Sequence, residues 1–169
     1  KKIKKEGLMN YKGLLQRVLT EIRIQRSLHN EYICKYENSF EDKNSIYILM
    51  EFCENNSLLQ YWKLRGKKLT EIETRYFMSQ ALNALKYLRR QKVIHRDFTI
   101  SNISLAKDLK VKLGDFGLSF RENENDETQG MECGTPGYYS PELCKHIYTY
   151  KTDIFGFGVC KHQLTTGND

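Results

Sequence analysis

The chain has 169 residues, 40% of them hydrophobic and 12% aromatic, enough for one compact domain or two small lobes and too apolar for a disordered chain. The net charge of +6 raises nucleic-acid binding, but much of the excess sits in Lys1-Lys2-Ile3-Lys4-Lys5 and along one helical stretch without interleaved aromatics, so a solvated basic face is the simpler reading and no nucleic acid is expected. No apolar run is long enough to span a bilayer, and the five cysteines form no C-x-x-C pair, which points to reduced thiols in the cytoplasm or nucleus rather than a zinc site or a disulfide framework.

Lys1-Lys2-Ile3 reads as the end of a strand. Periodicity then predicts a helix over 13–28, with Val18, Glu21, Gln25 and Leu28 on one face and Leu15 and Ile22 beside it. A carboxylate at the edge of an apolar stripe is unusual. A short strand is expected near 33–36. After the turn Glu41-Asp42-Lys43-Asn44, the run 46–52 is apolar and β-prone, as expected of a central strand covered on both faces. Glu54-Asn55-Asn56-Ser57 breaks that pattern as a hinge would, and a short helix follows over 58–64.

Thr70, with Glu71 and Glu73 behind it, marks a helix start. Ile72, Tyr76, Leu82, Leu85 and Leu88 carry the helical spacing on to Arg89-Arg90. Residues 103–105 and 111–113 frame Lys107-Asp108 as a hairpin. From Arg121 to Met131 the chain is acidic and polar, a mobile loop by composition, with order returning at Cys133-Gly134-Thr135-Pro136. The stretch 152–164 is apolar nearly all round and predicts a buried helix. Gly156 and Gly158 would each cost it about 1 kcal/mol relative to Ala, unless close backbone packing compensates.

The chemistry gathers between His95 and Gly117. His95-Arg96-Asp97 is followed by Asn102, then the hairpin, then Asp115-Phe116-Gly117. This order suits phosphoryl transfer, in which one carboxylate accepts a hydroxyl proton while an amide and a second carboxylate hold Mg²⁺ against nucleotide phosphates. Both halves together resemble the catalytic core of a protein kinase. Ser140-Pro141-Glu142 stands where that family carries Ala-Pro-Glu, and Asp153 resembles the buried helix Asp that holds the catalytic-loop backbone.

The resemblance implies an α+β, bilobal kinase-like fold truncated at both ends, with residues 1–52 as a partial N-lobe and 53–169 as a partial C-lobe. It implies ATP and Mg²⁺ as cofactors and protein serine or threonine hydroxyls as substrates. Asp97 would be the base, with Asn102 and Asp115 as metal ligands. Glu21 would pair with the strand lysine, either Lys1 or Lys2, an apolar residue two positions on favouring Lys1. Met50 would guard the back of the adenine pocket, while Glu51 to Cys53 would offer hinge backbone to the purine. Ser104 falls under the base, where the family usually has an apolar floor. Arg96 would pair with a phosphorylated residue of the activation loop.

Ser39-Phe40-Glu41-Asp42, Arg75-Tyr76 and Cys133-Gly134-Thr135-Pro136 resemble the polo-like kinases. Asp-Phe-Thr-Ile-Ser-Asn, with Thr99 where most serine/threonine kinases have Lys, resembles the polo-like kinase four branch. Losing that Lys removes a cation near the transferred phosphate. The usual phosphorylated Thr is here Met131, so either Thr128 takes over or the loop orders without phosphate, helped by Glu132. Thr135 would line the peptide groove and contact Asp97. No G-x-G-x-x-G occurs, and Glu142 would await an Arg partner from further helices, so a fragment inactive alone is expected, with polo boxes further along and the centrosome as a family location. The competing readings are a pseudokinase-type scaffold and, more weakly, a basic nucleic-acid binder.

Overall fold

The computed structural model describes residues 1–6, 12–122, 133–145 and 147–168. Met131, Thr128 and Glu132, and with them the question of the phosphorylated residue, lie outside these. The architecture is α+β, as expected. Strand β1 (Lys2–Lys4) precedes helix α1 (Lys12–Ser27), and β2 (Tyr36–Glu41) and β3 (Ser45–Met50) complete an antiparallel sheet of order β1-β3-β2. Lys1 extends the β1 pairing, since its N donates to Ile48 O at 2.8 Å and its O accepts from Ile48 N at 2.9 Å.

Helix α2 (Leu58–Leu64) starts where Ser57 Oγ accepts the N–H of Gln60. Helix α3 (Glu71–Arg90) starts at a full capping box. Thr70 Oγ1 accepts the N–H of Glu73, and the Glu73 carboxylate accepts the N–H of Thr70. Strands β4 (Val93–Ile94), β5 (Ile103–Leu105), β6 (Val111–Leu113) and β7 (Phe120–Arg121) form two small antiparallel pairs, β5-β6 and β4-β7. Helix α4 (Tyr150–Thr166) packs against α3 and ends at Gly167, whose φ of +83° is the left-handed cap that favours glycine.

The main core joins α1, α2, α3, the β5-β6 hairpin and α4. Trp62, Phe77 and Phe116 are its largest fully buried side chains. Ile33 bridges to Leu113, Cys34 N donates to Leu113 O and Leu113 N donates to Tyr32 O, tying the chain after α1 to the hairpin.

Four expectations need correction. The strand expected near 33–36 lies at Tyr36–Glu41, because Glu37, Asn38 and Ser39 sit on a sheet edge whose exposed faces hide the alternation. Strand β3 is central in its sheet but open on one face, with Leu49 exposed. In α3 the buried face is Thr74, Phe77, Met78, Ala81, Ala84, Leu85 and Leu88, while Ile72 and Tyr76 are exposed. Helix α4 buries one side only, leaving Ile154 and Phe155 exposed. Close backbone packing exists at Gly156, where a Cβ would lie 2.8 Å from Phe98 O, but not at Gly158, where nothing stands within 4 Å.

Candidate active site

Helix α1 carries Glu21 on its inner face, 3% exposed, toward the start of the sheet. Lys1 Nζ meets Glu21 Oε1 at 2.8 Å and Asp115 Oδ1 at 2.9 Å. Lys2, the other candidate, instead lies over the Tyr47 ring, its Nζ 5.5 Å from the centroid. Burial pushes the Glu21 carboxyl up, and Lys1 only partly offsets it. For Asp115, burial also pushes upward, but the hydrogen bond and charge of Lys1 outweigh it and hold the carboxyl below its usual range. The lysine itself is raised, its loss of water being more than repaid by the two acids. One cation therefore organises two carboxylates that would otherwise repel.

The β5-β6 hairpin brings the two motif halves together. Its register, Ile103↔Leu113, sets Asn102 beside Gly114, whose N–H donates to Asn102 O at 2.9 Å. His95 Nε2 lies 2.9 Å from Gly114 O. Asn102 Nδ2 donates to Asp97 Oδ2 at 2.7 Å and to Asp97 O at 2.9 Å. Asp97 Oδ1 accepts from the Thr135 hydroxyl at 2.6 Å. Asp97 and Asp115 thus flank one hairpin end, joined through Asn102 and Gly114.

The backbone around the site is under conformational load. Arg96 has φ +64° and Asp115 φ +54°, a region that side chains other than glycine rarely occupy. What holds Arg96 there is Asp153. Its buried carboxylate accepts the N–H of His95 at Oδ2 and of Arg96 at Oδ1, each at 2.9 Å. The Arg96 guanidinium sits against two rings that stand at 77° to each other, 4.8 Å from the Phe120 centroid and 5.0 Å from that of Tyr148, while Nε donates to Leu118 O. Phe120 and Tyr148 were not legible as partners of Arg96, being distant in sequence and on no shared periodic face.

The other candidates surround this centre. Glu51 N donates to Lys35 O at 2.8 Å, and its carboxylate meets Lys112 Nζ at 2.7 Å. Met50 Sδ accepts from Gln25 Nε2 at 3.3 Å. Cys53 is half-buried. Ser104 pairs with Lys112 in the hairpin and bridges to Ser57. Thr99 is buried, its Oγ1 2.7 Å from Ser101 Oγ. Glu142, expected to await an Arg partner, lies exposed.

Among the described residues no cluster of three or more His, Cys, Asp or Glu could hold a metal alone. A cation held largely by phosphates needs fewer protein ligands, and Asp115 with Asn102 offers a carboxylate and an amide oxygen, the hard donors that Mg²⁺ takes. With Nδ2 committed to Asp97, Asn102 Oδ1 is the atom left to accept it. No helix among the described residues is long and apolar enough to cross a membrane.

Residues 1–169 match the family model for the protein kinase domain. The chain is similar to serine/threonine-protein kinase polo of Drosophila melanogaster, 38% identical over 167 residues, which cover 98% of this chain and 29% of that protein. It is similar to serine/threonine-protein kinase PLK1 of Xenopus laevis, 38% identical over 148 residues, 87% of this chain and 25% of the relative. With serine/threonine-protein kinase PLK2 of Mus musculus it is 37% identical over 153 residues, 90% of this chain and 22% of the relative. The chain therefore spans 22 to 29% of the length of these curated relatives.

Proposed function

Because the chain belongs to the protein kinase domain family, with polo-like kinases among its curated relatives, we propose that the protein carrying it is an ATP-dependent serine/threonine kinase of the polo-like kind. It moves the γ-phosphoryl group of ATP to serine and threonine hydroxyls of protein substrates. The observation that carries this reading is the Lys1 bridge to Glu21 and Asp115 at 2.8 and 2.9 Å, beside an Asp97 that already receives a hydroxyl.

In this reading residues 1–52 and 53–169 are two lobes, joined after β3, and Lys1 steadies the α- and β-phosphates. Asn102 and Asp115 hold Mg²⁺, which when bound neutralises charge on the phosphates. Glu51 to Cys53 present main-chain groups to the purine, Met50 closes the back of that space and Ser104 lies beneath it. Asp97 takes the proton of the incoming hydroxyl. The bond it accepts from Thr135 at 2.6 Å supports this role, because Oδ1 is within reach of a hydroxyl while Asn102 fixes Oδ2. Cytoplasm, nucleus and centrosome are the family's places of work, and the protein is proposed to share them.

The test is transfer of labelled γ-phosphate to serine and threonine peptides by the protein carrying this segment. Asp97→Asn should lower turnover at least about 100-fold, the usual contribution of a general base. Equal turnover in both would refute the mechanism. The isolated 169-residue segment, which lacks a glycine-rich phosphate loop, is expected to be inactive alone.

One observation favours a second reading, a scaffold that binds nucleotide and transfers little. Thr99 is buried against Ser101 and brings no cation to the transferred group. Tight nucleotide binding, without transfer, by the protein carrying this segment would select the scaffold.

A further inference from the structure

Lys112 carries none of the roles assigned above, yet it joins two parts of the site that do. It is the middle residue of β6, whose flanking Val111 and Leu113 are buried in the core, so its side chain leaves the strand on the opposite face. In the hairpin register it stands across from Ser104, on the same face as that residue. Three residues further along the chain is Asp115. Lys112 Nζ reaches Glu51 Oε1 at 2.7 Å, at the residue that follows β3.

This ion pair is sheltered, with side chains 13% and 26% exposed. Lys110 and Glu31 provide a contrast. They meet at the same 2.7 Å, but with side chains 45% and 58% exposed. Water and salt screen an exposed pair until it contributes little, whereas a sheltered carboxylate that loses its cation is left without a full hydration shell to replace it.

Glu51 is also tied to the chain after α1. Its Oε2 accepts the N–H of Lys35 at 3.2 Å, and its own N–H donates to Lys35 O at 2.8 Å. The next fastening comes four residues later. Asn55 N donates to Leu105 O at 3.0 Å, and Leu105 N donates to Asn56 O at 2.8 Å. Residues 52–54 are therefore slung between Glu51 and Asn55, both of which are anchored on the β5-β6 hairpin, and Phe52 in that stretch is exposed.

We propose that Lys112 is a positioning residue for the adenine nucleotide. Through Glu51 it fastens the segment after β3 to the hairpin that leads into Asp115, and so fixes the main chain of residues 51–53 relative to the metal-binding end of the site. This role rests on the reading above in which those residues receive the purine. With the pair broken, residues 51–53 spread over several positions, and apparent affinity falls by the fraction of time spent in the competent one. Asp97, Asn102 and Asp115 keep their own contacts, so the loss falls on KM rather than on kcat.

The decisive experiment compares the protein carrying this segment with Lys112→Met, with the reversals Lys112→Glu and Glu51→Lys, with both reversals combined, and with Lys110→Met as the exposed-pair control. Urea unfolding identifies the folded variants, and Lys112→Met, which keeps an unbranched side chain, carries the test if a reversal does not fold. Amide exchange at Glu51 needs no nucleotide and should quicken about tenfold in Lys112→Met. The Kd of a fluorescent ADP analogue and the KM for ATP should each rise about tenfold, as when the competent fraction drops to about one-tenth. Over the same change kcat should stay within about twofold. Lys110→Met should match wild type, and the combined reversal should bind better than either reversal alone. Unchanged exchange at Glu51, wild-type affinity in Lys112→Met, a fall in kcat at constant KM, or a combined reversal no better than the single ones would each overturn the proposal. Absence of ADP binding by the wild-type protein would instead count against the kinase reading, and the exchange at Glu51 would still decide whether Lys112 holds the segment.

Discussion

Helix α4 contains a matched pair of perturbations with opposite expected signs. Replacing Gly by Ala in a helix interior gains about 1 kcal/mol of propensity. At Gly158 the new methyl meets nothing within 4 Å, so Gly158→Ala should gain nearly all of it. At Gly156 the methyl would lie 2.8 Å from Phe98 O and 3.4 Å from Phe98 Cβ. A main-chain carbonyl cannot swing aside, and overpacking of this kind costs about 1–3 kcal/mol. Set against the propensity gain, the net loss for Gly156→Ala is about 1 kcal/mol, leaving the two variants about 2 kcal/mol apart. Urea unfolding should show a higher midpoint for Gly158→Ala and a lower one for Gly156→Ala at unchanged slope. Phe98 is the neighbour of Asp97, so only Gly156→Ala should also slow the phosphate transfer proposed above. Two variants shifted in the same direction by equal amounts would refute the packing argument.

Two further outcomes follow from the hydrogen bonds. Asp153→Ala strands the buried N–H groups of His95 and Arg96, at about 1–3 kcal/mol each, so a loss of about 2–6 kcal/mol is expected. Asp153→Asn keeps one acceptor and should lose less, and hydrogen exchange at those two amides should rise in the same order. At the α3 capping box, Thr70→Ala should cost about 1 kcal/mol at neutral pH. The N–H of Thr70, followed by its hydroxyl and then Arg65, holds the Glu73 carboxyl below its ordinary value. A depressed folded value means that this stabilisation is present above the unfolded value and fades as pH falls through the folded one. The gap between wild type and Glu73→Gln should therefore narrow on acidification, and a gap that widens would contradict the capping-box account.

Where local chemistry decides, the sequence was legible. Helix α2 begins after Ser57 and α3 after Thr70 because those side chains satisfy the first free N–H groups of their helices. The Lys107-Asp108 turn lies between two short β-prone runs, and the hairpin follows. The acids and amide of the site could be named for the same reason, since spacing across one tight hairpin fixes where Asn102 and Asp115 must go. Contacts between distant segments left no such trace. The β4-β7 pair joins strands of two residues, too short for a period, and α4 looked buried all round because Ile154 and Phe155 are apolar although exposed. Ile3 already favoured Lys1 over Lys2, and the strand sends alternate side chains to opposite faces, Lys1 toward Glu21 and Asp115 and Lys2 toward Tyr47.

The aromatic corner around Arg96 bears on how such a protein could be switched. A guanidinium against both Phe120 and Tyr148 already has two aromatic contacts, each worth about 0.5–2 kcal/mol. A phosphate is bound by the in-plane N–H edge of a guanidinium and rings by its face, so a phosphate arriving nearby would add to these contacts rather than displace them. Phosphorylation would then act on a side chain that the rings already hold in place.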